Sequence, residues 1–170
     1  MNTAEVLVDA FTRIHGMVHD AVAGLTVEQL AFRPDPEANS IGWLVWHLTR
    51  VQDDHVAGAA GTRQVWTTAG WCDRFALPFD NSAIGYGQHT DEVGLVRATA
   101  EDLVGYFDAV HAQTVDFVGG IGAADLDRIV DESWDPPVTL GVRVVSVISD
   151  NLQHAGQAAF VRGIAERRSS

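Results

Sequence analysis

Residues 140–166 read LGVRVVSVISDNLQHAGQAAFVRGIAE, and this stretch decides the fold. Val144, Ile148, Leu152, Ala155 and Ala159 recur at steps of three and four, and no proline interrupts them, so the segment is a long helix from Leu140 to about Glu166. Along it, Arg143, Val147, Asp150, His154, Gln157 and Val161 alternate steps of four and three and form one seam. A seam of apolar residues that carries a carboxylate and an imidazole is unfavourable unless those groups find partners. Metal coordination is one solution, and a hydrogen-bonded core or surface position is the other.

Upstream, the same period appears three more times. Leu7, Ala10, Phe11, Ile14, Met17, Val18 and Ala21 predict a first helix from Thr3 to about Gly24. A helical turn at Thr26–Leu30 follows, stopped by Pro34 and Pro36. The second long helix is expected over Ser40–Ala59, capped by Asn39 or Ser40, with Leu44, Val45, Leu48 and Val51 inward and Gly61 ending it. Thr99 and Asp102 resemble a capping box for a third, which carries Leu103, Tyr106, Phe107, Val110, Thr114 and Phe117 inward and stops at Gly119 and Gly120. Four long helices and no convincing strand predict an all-α four-helix bundle, with one overhand crossover an option. The connection over 61–89 is long and rich in aromatics: Trp66, Trp71, Phe75, Phe79 and Tyr86.

A chain of 170 residues suits a single domain spanning 1–170. Eleven basic residues, all arginine, face twenty-three Asp and Glu, for a net charge of −12, which argues against nucleic acid as a partner. The absence of lysine suggests a GC-rich bacterial genome. Glu5, Asp9, Arg13, His15, His19 and Asp20 break any signal-peptide core or membrane span at the start, so a cytoplasmic location is expected, without a membrane partner. The single Cys72 has no disulfide partner and is read as packing rather than as a nucleophile.

Asp150 and His154 lie one helical turn apart, about 6 Å of rise, so both can reach one ion. On the second long helix His47 is in line with Leu44 and Val51, which points its imidazole inward as a third ligand. Three ligands leave a position open to water or substrate, the arrangement of a catalytic metal. Asp54, seven residues past His47, is nearly in line with it and is read either as a hydrogen-bond acceptor or base behind the metal ligands, or as a solvated helix residue. His55 lies roughly 80° round from His47 and is expected to be polar or at the surface. Gln88 and His89 suit a pocket mouth, and His15, His19 and His111 look ordinary.

The stretch SIGWLVWHL at 40–48, the DNLQHAGQ at 150–157 and the AFVRG that ends at Gly163 together resemble the DinB-like superfamily. Within it they resemble the thiol-dependent transferases and isomerases that use mycothiol or bacillithiol, the mycothiol-dependent maleylpyruvate isomerase type. The resemblance implies zinc or a similar divalent metal at His47, Asp150 and His154, where many relatives carry His or Glu in place of Asp150. It further implies a metal-dependent S-transferase that conjugates a thiol co-substrate, here mycothiol, to electrophiles for detoxification. On that reading the aromatic connection covers the electrophile, Arg143 meets an anionic group of the cofactor, and Gln157 supports the ligands from behind by hydrogen bonding. The expected partners are a small-molecule thiol and an electrophile, and a homodimer stays open. A metallohydrolase on the same scaffold and a non-catalytic bundle acting through protein partners are the rivals.

Overall fold

Side-chain caps start all four long helices, the last through Thr139 Oγ1, which accepts the Val142 N–H at 3.3 Å. Asn2 and Glu5 form a capping box for the first, Ser40 Oγ accepts the Trp43 N–H at 3.1 Å for the second, and Thr99 accepts the Asp102 N–H for the third. Gly61, at φ +68, closes the second in the left-handed conformation that glycine adopts without strain. In the computed structural model, which describes residues 1–168, the helices in chain order are α1 (Thr3–Val22), α2 (Val27–Leu30), α3 (Ile41–Ala60), α4 (Val65–Thr68), α5 (Trp71–Phe75), α6 (Thr90–Val93), α7 (Ala100–Val118) and α8 (Leu140–Arg168). A 3-10 turn over Ala123–Asp127 and a small antiparallel pair, β1 (Ile129–Asp131) and β2 (Val138–Thr139), link α7 to α8. Strands this short have no room for a period-two signal, so the sequence does not announce them.

α1 and α3 each pack on both α7 and α8 and touch one another little. Round the bundle the order is therefore α1, α7, α3, α8, and both the α1-to-α3 and α7-to-α8 connections cross a diagonal rather than one. This order sets the α1–α7 seam opposite the α3–α8 seam. No helix among the described residues is long and apolar enough to cross a membrane.

Phe11, Ile14, Leu44, Leu48, Phe107 and Val147 are fully buried in one continuous core. On α8 the buried line is Val144, Val147, Asn151, Ala155, Ala158 and Val161, whereas Leu152, expected inside, is 42% exposed and Ala159 is also outside. A polar bridge sets this rotation. Asn151 Nδ2 donates to Gln52 Oε1 at 2.5 Å, and Gln52 Nε2 donates to Thr114 Oγ1 at 2.8 Å, so buried polar groups on α8, α3 and α7 are joined in series. With its amide N–H groups anchored to Gln52 in this way, an asparagine occupies a core position that apolar periodicity assigns elsewhere.

The connection after α3 is held by two residues of α3 itself. The Asp53 carboxylate accepts the backbone N–H groups of Val65 at 2.9 Å and Trp66 at 2.7 Å and the hydroxyl of Tyr106 at 2.8 Å. Arg50, with no exposed surface, donates to the carbonyls of Ala83 at 3.1 Å and Asn81 at 3.3 Å, to Gln64 Oε1 at 2.9 Å and to the Tyr106 oxygen at 3.2 Å. Trp66 and Phe75 are buried against Tyr106. The expectation that the whole aromatic connection covers a substrate is corrected accordingly: its first half fills the core, because only there do those rings leave water.

Candidate metal centre

His47 is 2% exposed and projects from α3 between two aromatic rings. Trp43, one turn earlier, stacks on it at 4.6 Å with 13° between planes, and Tyr86 meets it edge-on at 5.3 Å. Its Nδ1 lies 2.5 Å from the carbonyl oxygen of Ile84. A carbonyl only accepts, so Nδ1 carries the proton and Nε2 keeps the lone pair. Across the seam, α8 presents Asp150 and His154, with His154 Nε2 3.6 Å from Asp150 Oδ1. His154 Nδ1 is bonded to Gln157 Oε1 at 2.8 Å, which likewise commits the outer nitrogen and leaves Nε2 for the cluster.

The His47 and His154 rings lie 4.8 Å apart, and one potential ligand atom from each of His47, Asp150 and His154 lies within 4.8 Å of the others. A tetrahedral ion with bonds of about 2.1 Å separates its ligand atoms by roughly 3.4 Å, so modest side-chain adjustment suffices. Asp150 Oδ2 is buried and has no hydrogen-bond partner. An orphaned carboxylate oxygen beside two imidazoles whose outer nitrogens are already engaged fits a cation. Burial pushes His47 below its ordinary pKa, against the Ile84 carbonyl, and so keeps it a neutral donor. Burial also pulls on His154, but Asp150 and Gln157 outweigh it and hold that imidazole above its ordinary value.

Of the remaining sequence-nominated residues, Gln157 stands beside the cluster and Asp54 and Arg143 stand apart from it. Asp54 accepts from Gln64 Nε2 at 2.7 Å and faces His55 Nδ1 at 3.1 Å, which holds its carboxyl below the usual range. Its hydrogen-bond and ion-pair partners are thus Gln64 and His55 rather than His47. Arg143 donates to Asp131 Oδ2 at 2.7 Å. Both line a cavity of about 700 Å³ together with His55, Ile84, Tyr86 and Trp134. A groove of about 750 Å³ lined by Leu44, Leu152, Gly156, Gln157 and Phe160 approaches from the other side. The three clustered residues line neither space. Ile84 and Tyr86 connect them to the first, and Gln157 to the second.

Ile84 and Gly85 escaped sequence reasoning, because a backbone carbonyl has no side-chain signature. The alternation Gly85-Tyr86-Gly87 was the only local cue. Gly85 has φ +99, and a Cβ there would overlap His47 Nδ1 and approach Trp43 to 3.2 Å. Gly85→Ala is therefore expected to displace the imidazole and weaken any divalent-metal binding at the cluster about 10- to 100-fold, as loss of a supporting contact does, while helix content is kept. Competition against a chromophoric chelator, with circular dichroism in parallel, checks this. Unchanged affinity would show that the Ile84–Gly85 contact does not orient His47.

The bundle and this cluster define an all-α protein with a candidate mononuclear metal centre between two helices. The chain belongs to the DinB superfamily, which it matches over residues 10–158, a range that includes His47, Asp150 and His154. That superfamily includes metal-dependent enzymes. A crystal structure described as the conserved protein of locus from Enterococcus faecalis is similar, with a TM-score of 0.88 and 29% identity over 95% of this chain and 96% of that one. No curated protein matches the sequence.

Proposed function

We propose that the protein is a metal-dependent S-transferase that joins a low-molecular-weight thiol, mycothiol by the sequence resemblance, to electrophilic compounds. The observation that carries the metal is the buried Asp150 Oδ2 without a partner, set against two imidazoles with outward nitrogens engaged. A divalent ion such as zinc held by His47, Asp150 and His154 supplies a Lewis acid that lowers the pKa of a bound thiol.

The residues around it divide the other tasks. Ile84 and Gln157 orient the imidazoles, and Trp43 and Tyr86 exclude water from the faces of His47. The adjoining cavity offers Asp54, Asp131, Arg143 and Ser146 as polar partners beside Trp134, a ring 65% exposed. A thiol carrying hydroxyl-rich sugar rings suits these groups, which combine a flat apolar face with hydrogen-bonding edges. In this reading Arg143, already paired with Asp131, binds hydroxyls rather than balancing an anion.

Thiol consumption and adduct formation, measured against added zinc for wild type and Asp150→Asn with mycothiol and a chromogenic chloroarene, test the proposal. The variant keeps the side chain's size and loses its charge, so its activity curve is expected to shift to higher zinc and recover in part at saturation. Superimposable curves would remove Asp150 from the site. Ester hydrolysis without thiol consumption would establish the metallohydrolase instead, and no catalysis with zinc bound would end the transferase reading.

A further inference from the structure

On the opposite edge of the bundle, α1 and α7 bring together four residues that have no part in the function proposed above. His15 and His19, one turn apart on α1, have ring centroids 4.2 Å apart. Their Nε2 atoms converge on a single oxygen of α7, Asp108 Oδ1, at 2.9 Å and 2.7 Å. His111, the next residue on that face of α7, has its ring 4.5 Å from His15, and its Nδ1 is buried without a hydrogen-bond partner.

We propose that His15, His19 and Asp108 form a second zinc-binding site, with His111 beside it as a further nitrogen donor. One ligand atom from each of the three already lies within 4.8 Å of the others. A carboxylate only accepts, so Asp108 holds both Nε2 atoms aimed at one point, and an ion there takes their lone pairs once each neutral imidazole carries its proton on Nδ1 instead. Tetrahedral zinc separates its ligands by roughly 3.4 Å, so the present 2.7 Å and 2.9 Å contacts open by about 0.7 Å and 0.5 Å, within side-chain freedom. Two imidazoles and one carboxylate are a donor set for borderline divalent ions. Side chains that are 33%, 38% and 44% exposed for His15, His19 and Asp108 keep the site open to ions from solution. The bound ion clamps the N-terminal helix to α7 across a seam otherwise held by apolar packing.

The test is zinc alone, titrated into metal-free protein by calorimetry with thermal melts alongside. The wild type is expected to bind two ions per chain. The double variant His15→Ala/His19→Ala is expected to keep only the ion sensitive to His154→Ala, and the His154→Ala variant to keep one ion that still raises its melting temperature. A His15→Gln/His19→Gln variant with wild-type circular dichroism guards against an unfolded protein. Zinc stoichiometry unchanged in both double variants would overturn the proposal, as would a His154→Ala protein that binds no zinc. A single ion removed by the double variant but indifferent to His154→Ala would support this site and count against the one between α3 and α8.

Discussion

On the proposed function, His154→Ala is expected to abolish divalent-metal binding at the α3–α8 seam, and thiol transfer with it, while the protein remains a helical bundle. His47 and Asp150 alone supply two ligands on separate helices, too few to retain an ion firmly. The imidazole itself contributes little to the core, because the buried positions of α8 on either side are Asn151, Ala155 and Ala158. Its loss strands Asp150, which then has neither the neighbouring imidazole nor the ion, and a buried unpaired polar group costs about 1–3 kcal/mol. A modest fall in melting temperature is thus expected together with complete loss of activity. Metal analysis, thiol consumption and circular dichroism on one preparation separate the effects. Wild-type activity in the variant would remove His154 from the chemistry.

Asp53→Ala is expected to be the most damaging single change to stability. Asp53 is buried and serves three donors at once, the N–H groups of Val65 and Trp66 and the hydroxyl of Tyr106, and it lies 3.7 Å from the guanidinium of Arg50. Burial raises its pKa, and those hydrogen bonds and Arg50 oppose the rise. Truncation leaves Arg50 as a buried cation without its counter-charge, a loss of about 3–5 kcal/mol, out of a total stability that is typically about 5–15 kcal/mol. Urea denaturation is expected to show a much lower midpoint, with Asp53→Asn intermediate because it preserves an acceptor. Zinc affinity is expected to fall as well, since Arg50 holds the Ala83 carbonyl next to the Ile84 carbonyl that orients His47. A midpoint within about 1 kcal/mol of wild type would show that the network adds nothing net to folding.

What the amino-acid sequence determined by itself was whatever depends on neighbours along the chain. Helix periodicity, the Ser40 and Thr99 caps and the Gly61 terminator are contacts within a turn or two, so the four long helices and their ends are legible without tertiary information. The placement of Asp150 and His154 on a common face is equally local, and the inward direction of His47 followed from Leu44 and Val51. Only the tertiary structure decided which helices adjoin. The order α1, α7, α3, α8 sets Asp150 against His47, and it makes His15 and His19, ordinary in sequence, partners of Asp108 on another helix. It also decided that Asn151, through Gln52, takes a core position in place of Leu152, and that Arg50 and Asp53 anchor a connection without any period. The reason is the same in each case: these polar groups leave water only because partners from distant segments engage them, and such a partner leaves no trace in local spacing.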